Sequence, residues 1–554
     1  MRFLTTFVAA AASFVAAFAQ PSVPTGGALN SASYAYVGLP NSGIAQGSIF
    51  VVFGTNIGPT TLQQVQAFPL QKTLAGTSIQ VTVNGTTVDA LPLYTSAAQV
   101  AAIMPSSTPV GTGTLTVTYN GATSGSIAVQ VVANSMGVYT LNQAGSGPGI
   151  ITDAAYQVFS LTSSAKPGQT VIIWATGLGP VSGDEAGGPL PGDMTNVPLE
   201  VWVGSQKVTP TYRGRSGCCA GLDQIVFVVP TGVTGCRVPV ALKIGSIVSN
   251  FVSMPVAANG GACSDPVSNV PAFDFTKLQQ QGTVSMGYLN LSRTTSSSTL
   301  PVIGTTTTTT DTGSATFEKW NYSTFNALQN PLGISTFGAC SVYSFRGSSG
   351  AIVDPLKPTP LNAGAQITVT GTNGTKQLPQ QATDVGSYYA TLGSNQQGGQ
   401  LYLDPGDYTM TGPGGADVGA FSSPLSVSTL TWTNADQVST VQRSAGQLIT
   451  WTGSDPNSTV TMTGLSFVLG TAQDGSDSVG AVFVCTAKES DQQFMIPGVV
   501  LSSLPPSATE IGGISISTGS LSVGSGTLGS FTAPGIDYGI TSSLVSTGKT
   551  VTYQ

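Results

Sequence analysis

Hydrophobic and polar residues alternate along most of this chain. Val81-Thr82-Val83, Leu115-Thr116-Val117-Thr118-Tyr119, Gln366-Ile367-Thr368-Val369-Thr370 and Leu430-Thr431-Trp432-Thr433 each place apolar side chains two residues apart. That is the period of a strand with one face buried, not of a helix. Gly, Asn and Pro separate the runs at short intervals, so the pattern predicts an all-β chain of tandem immunoglobulin-like β-sandwich domains.

The first half carries an internal repeat. Gly47-Ser48-Ile49-Phe50-Val51-Val52-Phe53 leads into Gly54-Thr55-Asn56-Ile57-Gly58-Pro59, and Gly168-Gln169-Thr170-Val171-Ile172-Ile173-Trp174 leads into Ala175-Thr176-Gly177-Leu178-Gly179-Pro180. Gln99 to Pro105 answers Gln224 to Pro230, and the strand ending in the Asn120-Gly121 turn answers Val240 to Ile244. The copies stand about 120 residues apart, a domain-sized period. The predicted divisions are 1–19, 20–135 and 136–264 for a leader and two sandwiches, then 265–425 as a β-rich domain and 426–554 as a sandwich-like domain.

These residues, with Ala28-Leu29-Asn30-Ser31-Ala32-Ser33-Tyr34, Gly217-Cys218-Cys219-Ala220-Gly221-Leu222-Asp223-Gln224 and Val248-Ser249-Asn250, give residues 25–260 a resemblance to a known family. The segment resembles the paired module of secreted acidobacterial proteins called the Solibacter uncharacterised C-terminal domain. That module is similar to the IPT/TIG branch of immunoglobulin-like folds. The resemblance implies a sandwich fold and export, and it supplies no catalytic residue.

In the second half, Gly386 to Leu392, Gln400 to Leu403, Leu448 to Gly453, Thr459 to Phe467, Val482 to Cys485 and Phe494 to Leu504 read as further strands. Residues 265 to 330 read as a boundary with irregular strands, and Thr305 to Thr310 as an exposed loop or edge, because a threonine run has nothing apolar to bury.

Composition sharpens this picture. Charged residues are 7% of the 554, against roughly 25% in an average soluble domain. Surface helices rely on those residues, whereas Gly-, Ser- and Thr-rich strands and turns do not. Arg2, the apolar run Phe3 to Phe18 and Ala17-Phe18-Ala19 form a secretory signal pattern, with the mature chain expected to begin at Gln20. No later run is long and apolar enough to span a membrane as a helix. The net charge of −7 leaves no basic face for nucleic acid. None of the Gly-rich stretches has the ending of a phosphate loop, so no cofactor is expected.

The sequence holds no histidine, which removes Ser-His-Asp and Cys-His catalysis and the commonest zinc ligand. Six cysteines in an exported chain predict disulfides. Adjacent Cys218 and Cys219 do not easily pair with each other, so each is expected to reach Cys236 or Cys263, leaving Cys340 for Cys485.

Asp404, Asp407 and Asp417 are the candidate acid pair of a polysaccharide-degrading enzyme, and they or Asp455, Asp474 and Asp477 the candidate calcium ligands. Each of the first three lies beside or near Gly or Pro, where turn geometry is the simpler role. Of the five tryptophans, Trp174, Trp202, Trp432 and Trp451 fall in alternating strands and are expected in cores, while Trp320 is the candidate exposed sugar contact. The expected function is a non-catalytic secreted or cell-surface scaffold, with self-association or another protein as partner. Carbohydrate binding and polysaccharide degradation are the alternatives.

Overall fold

In the first repeat, the alternating segments pair into two facing sheets. One runs Ala28–Asn30, Ile49–Phe53, Gln99–Ile103, Leu91–Thr95, Gln63–Gln64. The other runs Ile44–Ala45, Ile127–Val132, Gly111–Tyr119, Thr77–Val83, Thr86–Asp89. Ile79, Val81 and Val83 point inward from one sheet and meet Phe50, Val52, Val100 and Ala102 of the other. The Asn84-Gly85 and Asn120-Gly121 turns each hold two successive residues at positive φ, which matches the right-handed twist of the strands they join.

This computed structural model describes residues 20–265, 272–300, 304–328, 336–347, 357–472, 477–511 and 514–554. The predicted leader 1–19 and Asp474 lie outside the described residues.

The second repeat copies the first. Gly137–Val138, Thr170–Thr176, Asp223–Val228, Tyr212–Arg215 and Gly192–Asp193 face Gly147–Pro148, Val252–Val256, Gly235–Ile244, Leu199–Val203 and Gln206–Val208. In each copy a two-residue strand runs parallel to the copy's last long strand: Ile44–Ala45 beside Ile127–Val132, and Gly147–Pro148 beside Val252–Val256. The sequence repeat is therefore a repeat of topology, and the all-β class expected from alternation is the class observed.

Beyond residue 272 the architecture changes. One sheet of 13 strands runs from Ala339–Arg346 through Val479–Lys488, Thr459–Val468, Ser520–Phe531, Tyr538–Thr550, Thr283–Leu300, Gly304–Asn321, Asp384–Ser394, Gly374–Gln381, Gln366–Gly371 and Gly406–Gly412 to Phe421–Val427, with the thirteenth, Thr359–Pro360, paired to Gly304–Asn321 off this path. Tyr538–Thr550 lies parallel to Thr283–Leu300 at its centre. The expected division at 425/426 is corrected, because it cuts the strand Phe421–Val427 and because strands from both sides of it share the sheet. Two cores lie along this sheet, one around Phe317, Tyr388, Phe421 and Phe531, the other around Trp432, Trp451 and Phe483.

Four local expectations are also corrected. The described residues within 265 to 330 are not irregular: Thr283–Leu300 and Gly304–Asn321 pair residue for residue, from Thr283 opposite Asn321 to Leu300 opposite Gly304. The threonine run is strand within this hairpin, exposed only toward its tip, since β-branched residues suit a pleated strand and Ala315 and Phe317 of the same strand supply the buried face. Gln400 to Leu403 makes no ladder, because the Tyr402 and Leu403 N–H groups donate to the Asp311 carboxylate instead. Phe494 to Leu504 splits at Pro497 into the strand Gln493–Ile496 and a short helix, Gly498–Ser502.

Cys340 joins Cys485 across paired strands, the pairing expected. Cys236 joins Cys263, and Cys218 joins its neighbour Cys219, which corrects the expectation that each of the adjacent pair reaches a distant partner. Cys236 and Cys263 are fully committed to each other in a buried cluster, while Cys218 and Cys219 sit in an exposed loop with no other thiol to take.

Candidate functional site

Asp417 does not converge with the other two candidate acids. Asp404 accepts from Asn373 Nδ2 at 2.9 Å and stands 3.7 Å from Arg293. Asp417 accepts the Asn362 N–H at 2.8 Å and tethers that loop. Asp404 and Asp407 flank one end of the hairpin Gly406–Gly412/Phe421–Val427 and Asp417 the other. The separation is about 20 Å of strand, well beyond the roughly 5–9.5 Å that glycoside hydrolysis uses.

Asp455 and Asp477 tie down their own loops, Asp455 through Asn457 N–H and Ser458 Oγ, Asp477 through the N–H groups of Thr471 and Ala472. Those hydrogen bonds hold Asp477 below the usual carboxylate range. Among the described residues no three acids or thiols cluster as a metal site would need.

Trp320 is corrected from exposed sugar contact to core. It is 8% exposed, packs with Phe275, Leu278, Phe325 and Leu328, and donates from Nε1 to Glu318 at 2.8 Å. Burial pushes the Glu318 carboxyl up. The helices Phe275–Gln281 and Tyr322–Ala327 cover it, and neither has a signature in the alternating pattern. Trp432 and Trp451 are core, as expected from their strands.

Trp174 differs. Its backbone lies in a core strand, but its ring is only half-buried and Tyr156 leans on it, ring centroids 5.8 Å apart. The first repeat makes the same pair with Tyr34 on Phe53, 6.2 Å apart. Both tyrosines have left-handed backbones, φ +49° for Tyr34 and +63° for Tyr156. An Asx turn sets each one: Asn30 Oδ1 accepts from the Ala32 and Ser33 N–H groups, and Asp153 Oδ1 from those of Ala155 and Gln157.

The longest sequence motifs meet at the junction of the two repeats. Arg215 and Asp223 form an ion pair that is 1% and 0% exposed. Arg215 Nη2 also donates to the carbonyls of Gly47, at 2.8 Å, and Gly179, at 2.6 Å, so one guanidinium touches both domains. Asp223 Oδ2 accepts the Leu178 N–H at 2.8 Å. Burial pushes the Asp223 carboxyl up, and the guanidinium and this N–H oppose that rise.

Further bonds close the seam. Thr176 Oγ1 accepts the Ile49 N–H and donates to the Gly221 carbonyl, while buried Glu185 accepts from Ser106 N–H and Oγ–H. A Cβ on Gly47 would strike Arg215, at a position whose φ of +68° already favours glycine. The second junction is made by Arg237, which donates to the carbonyls of Phe325 and Asn326, and by Cys236–Cys263 packed against Phe275 and Leu278.

No family model and no curated relative matches this chain. Three solved structures illustrate what it is similar to. A tetra-tandem repeat from the extending region of a large adhesion protein is 14% identical, over 90% of this chain and 95% of that one, with a TM-score of 0.13. Domains 4–9 of the surface-layer protein SbsC are 11% identical, over 94% and 83%, with a TM-score of 0.17. Bacteroides ovatus SGBP-B, from a mixed-linkage glucan utilization locus and in complex with a mixed-linkage heptasaccharide, is 12% identical, over 87% and 97%, with a TM-score of 0.14. At such scores the likenesses assign neither ligand nor activity.

Proposed function

We propose that this chain is an exported, non-catalytic scaffold in which immunoglobulin-like domains hold binding surfaces at fixed spacing and associate with further copies of the same chain. The observation that carries this reading is the sealed first junction, where Arg215 bridges Gly47 of one domain to Asp223 and Gly179 of the next. Flexible linkers would need no such buried charge, whereas a spacer that keeps its length does. Three disulfides with no free cysteine suit an oxidising exterior. The resemblance of residues 25–260 to the secreted acidobacterial module belongs to the same reading. Low charge density favours contact between copies, since little like-charge repulsion opposes it.

Small-angle scattering of the mature protein tests the spacer. The expected profile is that of a single rigid particle, and Arg215→Ala adds the signature of domains moving independently. A flexible profile for the unaltered protein overturns the reading. Light scattering across a concentration series tests association, and a monomer at the highest concentration removes that part.

A further inference from the structure

We infer that Tyr156 and Trp174 form a binding site for a neutral saccharide on the second domain. Tyr156 is 61% exposed, the most exposed large apolar side chain among the described residues. Its backbone is nonetheless fixed: its N–H donates to the Asp153 carbonyl, and the Asp153 carboxylate binds the N–H groups on either side of it. A rigid ring in water costs little further entropy when a ligand settles on it. Holding a non-glycine residue at φ +63° is itself unfavourable, so the turn spends stability to present this ring.

The companion ring is prepared in the same way. The Trp174 Nε1–H is already donated to Thr152 Oγ1 at 3.2 Å, which leaves the indole to offer its apolar surface. The matching pair in the first repeat isolates the difference. There Tyr34 is half-buried, and a Cβ on Gly145 would lie 3.5 Å from its ring, so a loop of the second domain covers it. The second copy keeps the turn and the tilted ring pair, but among the described residues it lacks that cover.

The chemistry of the surroundings selects the ligand class. A pyranose presents a face of C–H groups that stacks on an aromatic ring, and a rim of hydroxyls that needs polar neighbours. Half-buried Asp153 and exposed Gln157 border the pair and supply them. The turn carries no cationic residue, so nothing in it favours an acidic sugar or a phosphate.

Native electrophoresis of the full mature protein in gels cast with neutral polysaccharides (mixed-linkage β-glucan, xylan, galactomannan) tests this. Tyr156→Gly is the informative variant, because glycine adopts the left-handed backbone freely and the fold is retained. Retardation by at least one polysaccharide is expected, weakened about tenfold or more in Tyr156→Gly and unchanged in Tyr389→Ala, an exposed tyrosine on the large sheet. No retardation by any of them overturns the site. Equal weakening in both variants overturns it, and so does a Tyr156→Gly variant that loses only self-association, which would make the patch a contact between copies. Only the last of these outcomes changes light scattering, and none touches the Arg215→Ala test of the sealed junction, so a failed saccharide site and a failed scaffold are told apart.

Discussion

Asp311 interrupts a run of threonines with the one charge the long hairpin buries completely. Arg293, directly opposite in register, meets it with two hydrogen bonds of 2.8 and 2.9 Å, and the N–H groups of Tyr402 and Leu403 fill its remaining positions. Burial alone would raise this carboxyl; the guanidinium and the two N–H groups outweigh it and hold it below the usual range. A depressed carboxyl stabilises the fold fully above the unfolded value of about 3.9 and loses that contribution as pH falls through the folded one. Asp311→Asn is therefore expected to cost about 3 kcal/mol near neutral pH, where it leaves Arg293 only the more distant, exposed Asp404 as counter-charge, and progressively less toward about pH 2. Urea unfolding of both proteins across that range checks it, and a constant gap contradicts it. The pair was visible in the sequence only as a lone acid among threonines, since its partner is identified by register and its other ligands lie 91 and 92 residues away.

At the scale of elements, alternation made legible those strands that carry their own apolar face. Val81, Val83, Ile367 and Val369 declare which way their strands point. The threonine run does not, because its buried face is supplied by Ala315 and Phe317 further along and by Leu378 of another strand. Trp320 misled for a related reason: what buries it are two short helices with no alternation. Tyr156 carried no signal, because exposure over a half-buried ring depends on a partner 18 residues later in another strand.

Glycines inside strands mark close packing that a sequence cannot weigh. Gly464 lies beneath the Phe483 ring and the Tyr553 hydroxyl, both of which an added Cβ would strike. Gly464→Ala is expected to lose about 1–3 kcal/mol through overpacking despite its better strand propensity. Thermal unfolding gives the answer, and an unchanged or raised midpoint rules this packing out.

The molecule as a whole is two consecutive sandwiches followed by a unit whose strands are interleaved. The repeat made the first part legible, because each copy closes within its own stretch of sequence. The second part was not legible, since strands adjacent in the large sheet come from opposite ends of residues 272–554. Ending the chain at Ile536 removes Tyr538–Thr550 from the middle of that sheet. Limited proteolysis of this variant is expected to degrade residues 272–536 and leave a resistant fragment near 20–264. Equal resistance throughout contradicts the interleaving. Ser285 meets Asp537 across 252 residues, and the time of that meeting has its own significance. A polypeptide emerging from its N-terminal side can complete two domains while the third still waits for its central strand. Under the proposed export, a rigid leading portion would thus precede a pliant trailing one, and the trailing unit would set only once Tyr538–Thr550 had followed.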